Sequence, residues 1–338
     1  MKFKLLAGAL VLLMVGWFVW WRVAASAQEA AVTAWLDAQR DRGWQAEAAS
    51  VEVAGFPNRL DLTLTEPALA DPAEGWAWSA PRFFVRQVIY DPTFFVAEWP
   101  VEQRLAAPGA RATLRTEEME ASLKVAAASS LDLVRASFDV QRAALAADAG
   151  WTAGAERLTL HVREAPDAGP ANAYQFRFDG IGVRPPDFLR RRIDPAGALP
   201  AVAELAAAEG RAAFDRPLDR RAAEGPPPAL TALSLKEARA VWGGLELSIA
   251  GALTADADGR AEGELDLSAT NWREMLAAAV ASGAVDRRLA DALEAGLGFV
   301  AGLSGAEDRL DVSVTFSGGL ARIGPVPIGP APRMNGGI

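Results

Sequence analysis

Leu60-Asp61-Leu62-Thr63-Leu64-Thr65 decides the fold class. Its apolar residues fall at every second position, the period of a strand with one buried and one wet face. The same alternation recurs at Met119, Ala121, Leu123 and Val125, at Val134, Ala136, Phe138 and Val140, at Leu158, Leu160 and Val162, and at Tyr174, Phe176 and Phe178. Strands of this kind build antiparallel sheets solvated on one side, which disfavours a doubly wound parallel fold. Leu245, Leu247 and Ile249, a turn at Asp258-Gly259, then Leu265 and Leu267 predict a hairpin. Leu310, Val312, Val314 and Phe316 predict a closing strand into Gly318-Gly319, and the tail Gly324 to Pro330 predicts an edge or rim segment, because proline cannot donate to a central ladder.

Ahead of the strands, Leu5 to Trp21 carries no charge. As a helix this run reaches about 26 Å, nearly a bilayer core. Lys2 and Lys4 favour a cytoplasmic N-terminus, Arg22 can snorkel, and Trp17, Trp20 and Trp21 stand where an aromatic belt belongs. A cleaved signal peptide is the competing reading, since Ala25-Ser26-Ala27 has the small-x-small form of a cleavage site. Gln28 to Arg42 is expected to form a juxtamembrane helix, with Val32, Trp35 and Leu36 at helical spacing and a stop at Gly43. The expected class is therefore α+β: a mainly antiparallel, curved β-sheet with a few helices, preceded by one N-terminal transmembrane helix.

The expected organisation is a membrane anchor or signal segment over 1–27, then a juxtamembrane helix and β-rich half over 28–183. A Pro/Arg/Ala-rich connector with a short helix follows over 184–228, and a β-hairpin, a helical hairpin and closing strands fill 229–338. The helical hairpin is placed at Trp272 to Ser282 and Asp286 to Gly302, where Leu289, Leu293 and Leu297 recur every four residues. Arg190-Arg191-Arg192 is interleaved with acidic residues and reads as a salt-bridged surface.

The composition of the 338 residues excludes much chemistry. With no cysteine there are no disulfides, thiolate metal sites or cysteine nucleophiles. A net charge of −9 gives no electrostatic reason to bind nucleic acid. The single histidine, His161, falls on a polar strand face beside Arg157, Thr159 and Arg163. No H-E-x-x-H, G-x-S-x-G, S-x-x-K or Walker pattern occurs, and Asp256-Ala257-Asp258-Gly259 reads as a tight turn rather than a calcium loop. No catalytic, cofactor-binding or metal residue is named, and the protein is read as a non-enzyme without a cofactor.

One sequence feature points to a ligand. Phe83-Phe84 and Phe94-Phe95 place adjacent rings on both faces of expected strands, so helices, a second sheet, lipid or an apolar ligand must cover each face. These four phenylalanines are the candidate apolar-ligand contacts, and Trp17, Trp20 and Trp21 the candidate membrane interface.

Gly55-Phe56-Pro57-Asn58-Arg59-Leu60-Asp61-Leu62-Thr63-Leu64 with Pro67, and Trp76-Ala77-Trp78-Ser79-Ala80-Pro81, resemble the domain-of-unknown-function family 2125. Asp215-Arg216-Pro217-Leu218-Asp219-Arg220, Asn271-Trp272-Arg273 and the Gly-Pro-rich tail to Pro332 extend that resemblance. It implies an anchored envelope protein of Gram-negative bacteria. In pattern the Gly-Phe-Pro turn, the Gly251 to Leu267 hairpin and the closing strand are also similar to AsmA-like envelope proteins, which implies curved sheets that shield acyl chains. The expected function is thus a non-catalytic, single-pass inner-membrane protein with its bulk in the periplasm, binding or channelling lipid for envelope maintenance. The alternatives are a scaffold that binds envelope proteins and, third, a carboxylate-based hydrolase.

Overall fold

The computed structural model describes residues 2–165, 169–195, 197–283, 285–288, 290–291, 294 and 308–334. Every strand register among them is antiparallel. The chain divides into two compact units, one of residues 1–124 and 145–150, the other of residues 125–144 and 151–338.

The first unit begins with one uninterrupted helix, α1 (Lys2–Asp41), so the apolar run and the juxtamembrane helix are a single rod. Its N-terminal stretch is fully exposed, with a mean hydropathy of 2.0. From Trp21 onward a stripe of Trp21, Ala25, Leu36 and Gln39 is buried. These positions share one helical face, whereas Trp35, at the margin of that stripe, stays exposed. The helix stops where expected, because Gly43 takes a positive φ of 91° that lets the Gly43 and Trp44 amides turn back on the last carbonyls.

Ten strands follow: β1 (Gln45–Glu47), β2 (Ser50–Ala54), β3 (Asp61–Thr65), β4 (Ala68–Asp71), β5 (Trp76–Ser79), β6 (Arg82–Val88), β7 (Asp91–Glu98), β8 (Glu102–Ala107), β9 (Ala110–Arg115) and β10 (Glu118–Val125). They are better understood as five long strands of an up-and-down meander, each broken once near its middle. On one side of the breaks the order is β2-β3-β6-β7-β10. On the other it is β1-β4-β5-β8-β9. The breaks line up, because hydrogen bonds link them across the sheet: Glu66 N–H to Pro81 O at 2.9 Å, Ala80 N–H to Pro67 O at 3.1 Å, and Thr116 N–H to Val101 O at 2.9 Å. Three of the five carry a proline, Pro67, Pro81 and Pro100, whose missing N–H interrupts a ladder while its carbonyl still accepts. Trp21 and Ala25 of α1 form a core with Val53 and Leu62, flanked by Val32, Val51, Leu60, Val85 and Ile89.

The second unit is built on β11 (Leu133–Ala147), whose residues 145–147 count with the first unit, and on β12 (Thr152–Glu164), β13 (Ala173–Val183), β14 (Ala203–Phe214), β15 (Leu230–Trp242), β16 (Leu245–Ala255), β17 (Ala261–Thr270), β18 (Arg309–Ser317), β19 (Leu320–Ile323) and β20 (Val326–Pro330). From β12 to β20 each strand pairs with the next, and β20 is paired with β19 through Pro327 and Pro330 at the end of that series. Short helices accompany them, among them α2 (Asp187–Ile193), α3 (Arg220–Glu224) and α4 (Trp272–Ala281). Residues 203–214, whose alanine content had marked them as connector, are instead a twelve-residue strand, β14. Ala206, Ala208, Gly210 and Ala212 sit at every second position, and their pairing with Gly180, Phe178, Phe176 and Tyr174 overrides alanine's helical preference. The short helices flank that strand. Of the helix expected from Asp286 to Gly302, residues 287–288, 290–291 and 294 are helical, the Ala290 N–H donates to Asp286 O at 2.9 Å, and Leu289, Leu293 and Leu297 lie outside the described residues.

Candidate apolar ligand site

Register sorts the side chains of the second unit onto two faces. One row across the meander reads Leu160, Phe178, Ala208, Ala238, Ile249, Leu267 and Val312; the next reads Leu158, Gly180, Ala206, Ala240, Leu247, Ala269 and Leu310. The opposite face carries His161, Arg177, Glu209 and Lys236, then Arg239 with Glu246, and Arg309 with Asp311. There Lys236 and the nearby Arg177 hold the Glu209 carboxyl below its usual range, and the Ser268 hydroxyl with Arg309 does the same for Asp311. His161 is exposed on this polar face, as its spacing predicted.

On the apolar face α2 and α4 stand as walls of an open trough of about 570 Å³. Leu189 and Ile193 come from α2, Met275, Ala278 and Ala279 from α4, and Ala240, Trp242, Leu245 and Leu247 form the floor. A second hollow of about 200 Å³ shares Ala240 and Leu247 and continues under Phe178, Ala206, Ala238 and Ile249. The hollow exists because its floor is alanine: side chains of one carbon leave space beside the larger Phe178 and Leu247.

The walls are pinned. Trp272 is 3% exposed and seats the first turn of α4, while the Asn271 side-chain amide donates to Gly244 O at 2.8 Å. The chain leaving α2 is closed by Asp194, 4% exposed, whose carboxylate accepts the Leu199 N–H at 2.7 Å. Trp242 donates its indole N–H to Pro200 O at 2.8 Å. Polar groups at the trough are few, Arg192 and Ser282 among them. The trough is thus a concave, mainly apolar surface with sparse polar groups at its edge. Among the described residues no group of three or more His, Asp or Glu could hold a metal ion. In the turn at Asp256 the carboxylate accepts the Asp258 and Arg260 amides, each at 2.8 Å.

A different hollow lies in the first unit, of about 650 Å³, floored by Ala68, Ala70, Ala77 and Ala106. Glu47, Arg104, Arg111 and Asp148 line it, which makes it a poor host for a hydrocarbon.

The four phenylalanines do not converge. Phe83 and Phe95 share the face of Val85 and Leu64; Phe83 contacts the rings of Trp78 at 5.8 Å and Trp99 at 5.0 Å. Phe84 and Phe94 lie on the opposite face, paired with Glu98 and Lys124 respectively. Trp17 and Trp20 stack at 4.9 Å and are 42% and 48% exposed, whereas Trp21 is only 5% exposed and belongs to the core. Ala206 of the smaller hollow was missed because β14 reads as connector; the alternation of small residues from Ala206 to Ala212 is the available signal.

A family model described as an uncharacterized protein conserved in bacteria (DUF2125) matches residues 21–332. The chain belongs to this family. The DUF2125 match begins at Trp21, the first helix residue buried against the sheet, and runs through both units. Its quoted motifs serve as structural fastenings here: Asp219 caps α3 by accepting the Arg221 and Ala222 amides, Asp215 accepts the Ala229 amide, and Asn271-Trp272 seats α4. No curated protein and no solved structure matches the chain.

Proposed function

We propose that this DUF2125 protein is a non-catalytic, single-span envelope protein that holds an acyl chain of a membrane lipid in the trough between α2 and α4. The observation that carries the reading is that trough, an open, mainly apolar hollow of about 570 Å³ floored by Ala240, Trp242, Leu245 and Leu247 and bounded by pinned helices. In this reading α1 crosses the inner membrane with Lys2 and Lys4 on the cytoplasmic side, and both units are periplasmic. Moving a chain from bilayer to trough exchanges one apolar surrounding for another, so the roughly 0.8 kcal/mol per methylene that separates it from water is kept throughout. Such an exchange is close to neutral, which suits a protein that passes lipid on. Arg192 at the rim offers a guanidinium to a phosphate headgroup.

The test is photocrosslinking of the full chain in nanodiscs containing a phosphatidylglycerol with a diazirine at mid-chain. Adducts are expected in the peptides holding Leu245–Leu247 and Met275–Ala279, and Ala240→Trp, which fills the floor, should reduce them about tenfold. Adducts confined to α1, or unchanged by Ala240→Trp, would reject the proposal.

A further inference from the structure

The turn between β2 and β3 is fastened to the apolar part of α1. Trp17 donates its indole N–H to Pro57 O at 2.8 Å, Trp21 donates to Arg59 O at 2.7 Å, and the Phe56 ring meets those of Phe18 and Trp21 at 5.4 and 5.7 Å. Thirteen residues separate Lys4, the last charge before the apolar run, from Trp17. That is about 20 Å of helix. A bilayer's hydrocarbon core is about 30 Å thick. Even with the Lys4 stem stretched back to its headgroups, the level of Trp17 falls short of the far boundary. A turn held at Trp17 therefore lies below the headgroups, inside the leaflet on the domain side.

The backbone of this turn is prepared for such a place. Irregular chain is tolerated at membrane depth only where its polar groups find partners within the protein. Here Gly55 O accepts the Arg59 N–H, Pro57 O accepts Trp17, Asn58 O accepts the Ile89 N–H and Arg59 O accepts Trp21. Pro57 has no N–H to satisfy. Two of the four acceptors are met by indoles of the spanning helix itself, an economy that a water-exposed turn would not need. The outward surface is aromatic: Trp17, Phe18, Trp20 and Phe56 are each 42–48% exposed. At the adjoining turn Tyr90 is 80% exposed, a ring with a polar tip suited to the headgroup layer. Arg59, paired with Asp61 at 3.2 Å, has a long stem that can carry its charge up to the phosphates.

We infer that the Gly55–Asn58 turn is a membrane wedge, embedded in the domain-side leaflet beside α1, and that its occupant surface is lipid. The first unit is then seated in the bilayer at two places and not tethered by one helix. This rests on α1 spanning the membrane, and the experiment separates the two.

Because the chain has no cysteine, single-cysteine variants can be spin-labelled without background. Full-length Leu10→Cys, Phe56→Cys, Asn58→Cys and Ala73→Cys chains are reconstituted in phosphatidylcholine–phosphatidylglycerol vesicles. Each label's collision rate with oxygen, which concentrates in lipid, is compared with that of a water-soluble nickel chelate. Leu10 and Phe56 should favour oxygen by a similar factor; Ala73, in the β4–β5 turn at the other end of the sheet, should favour nickel severalfold. Asn58 is exposed, so it reports the depth of the turn if Phe56→Cys destabilises it, and it too should favour oxygen. Leu10 in lipid with Asn58 as nickel-accessible as Ala73 overturns the wedge and leaves the span intact. Leu10 accessible to nickel overturns both.

Discussion

Gly55→Ala tests the fastening most directly. Gly55 sits at φ +108°, and a Cβ built there would lie 2.9 Å from the Arg59 Cβ and 3.1 Å from the Arg59 carbonyl oxygen. The backbone strain costs about 1–3 kcal/mol. Relieving the overlap displaces Arg59, an overpacking cost of about 1–3 kcal/mol. The displaced residue is the acceptor of the Trp21 indole, a bond contributing about 1 kcal/mol. Together these come to about 5 kcal/mol, a large share of a domain's stability. Gly109→Ala is the control: φ is +77° but no atom lies within 4 Å, so only the roughly 1–2 kcal/mol of backbone strain remains. The assay is hydrogen exchange of the full chain in nanodiscs. At about 1.4 kcal/mol per tenfold, the amides of β2 and β3 should exchange about three to four orders of magnitude faster in Gly55→Ala. Gly109→Ala should accelerate only the β8–β9 turn, by about tenfold. Exchange in β2 and β3 within threefold of wild type would refute the crowding argument.

Gln103, 2% exposed, accepts the Trp78 indole N–H at 2.9 Å and donates to the Met119 sulfur. Gln103→Leu, though more apolar, should cost about 1–3 kcal/mol by orphaning that indole, and adding Trp78→Phe should recover part of it in thermal melts. The Tyr174 hydroxyl accepts the Leu218 N–H at 2.9 Å, and burial pushes its pKa above the ordinary 10.0. A raised value means its stabilisation is complete below pH 10 and is lost as pH climbs through it; Tyr174→Phe should remove this alkaline step and lower stability by about 1–2 kcal/mol. A hydrogen bond from Lys124 holds Asp91 below its ordinary 3.8, so this pair stabilises above that pH and fades as pH falls through the lowered value. Melting of Lys124→Met should therefore respond less than wild type to acid below pH 4, and wild type should lose the difference in high salt. Asp219→Ala removes the cap of α3 and should cost about 1 kcal/mol by denaturant titration.

Much of the architecture follows from the order of residues alone. A period of two specifies a half-buried strand whatever it packs against, so β3, β10, β12, β13, β16, β17 and β18 were legible. An uncharged run made an N-terminal helix long and apolar enough to cross a bilayer legible in the same way, and Gly43 marked the end of α1. Local signals failed where the environment is shared. Alanine suits helix, strand or linker, and only pairing with both β13 and β15 makes Ala203–Phe214 a strand and lets Ala206 line the smaller hollow. Adjacent phenylalanines announced two covered faces, but register alone decided that Phe83 and Phe95 go one way and Phe84 and Phe94 the other. Among the tryptophans, three neighbours of one apolar run have different fates because the β2–β3 turn reaches back to them, burying Trp21 and leaving Trp17 and Trp20 open. Periodicity records which side of an element is apolar. What that side meets is set by contacts between residues far apart in the chain, and those exist only once the chain has folded.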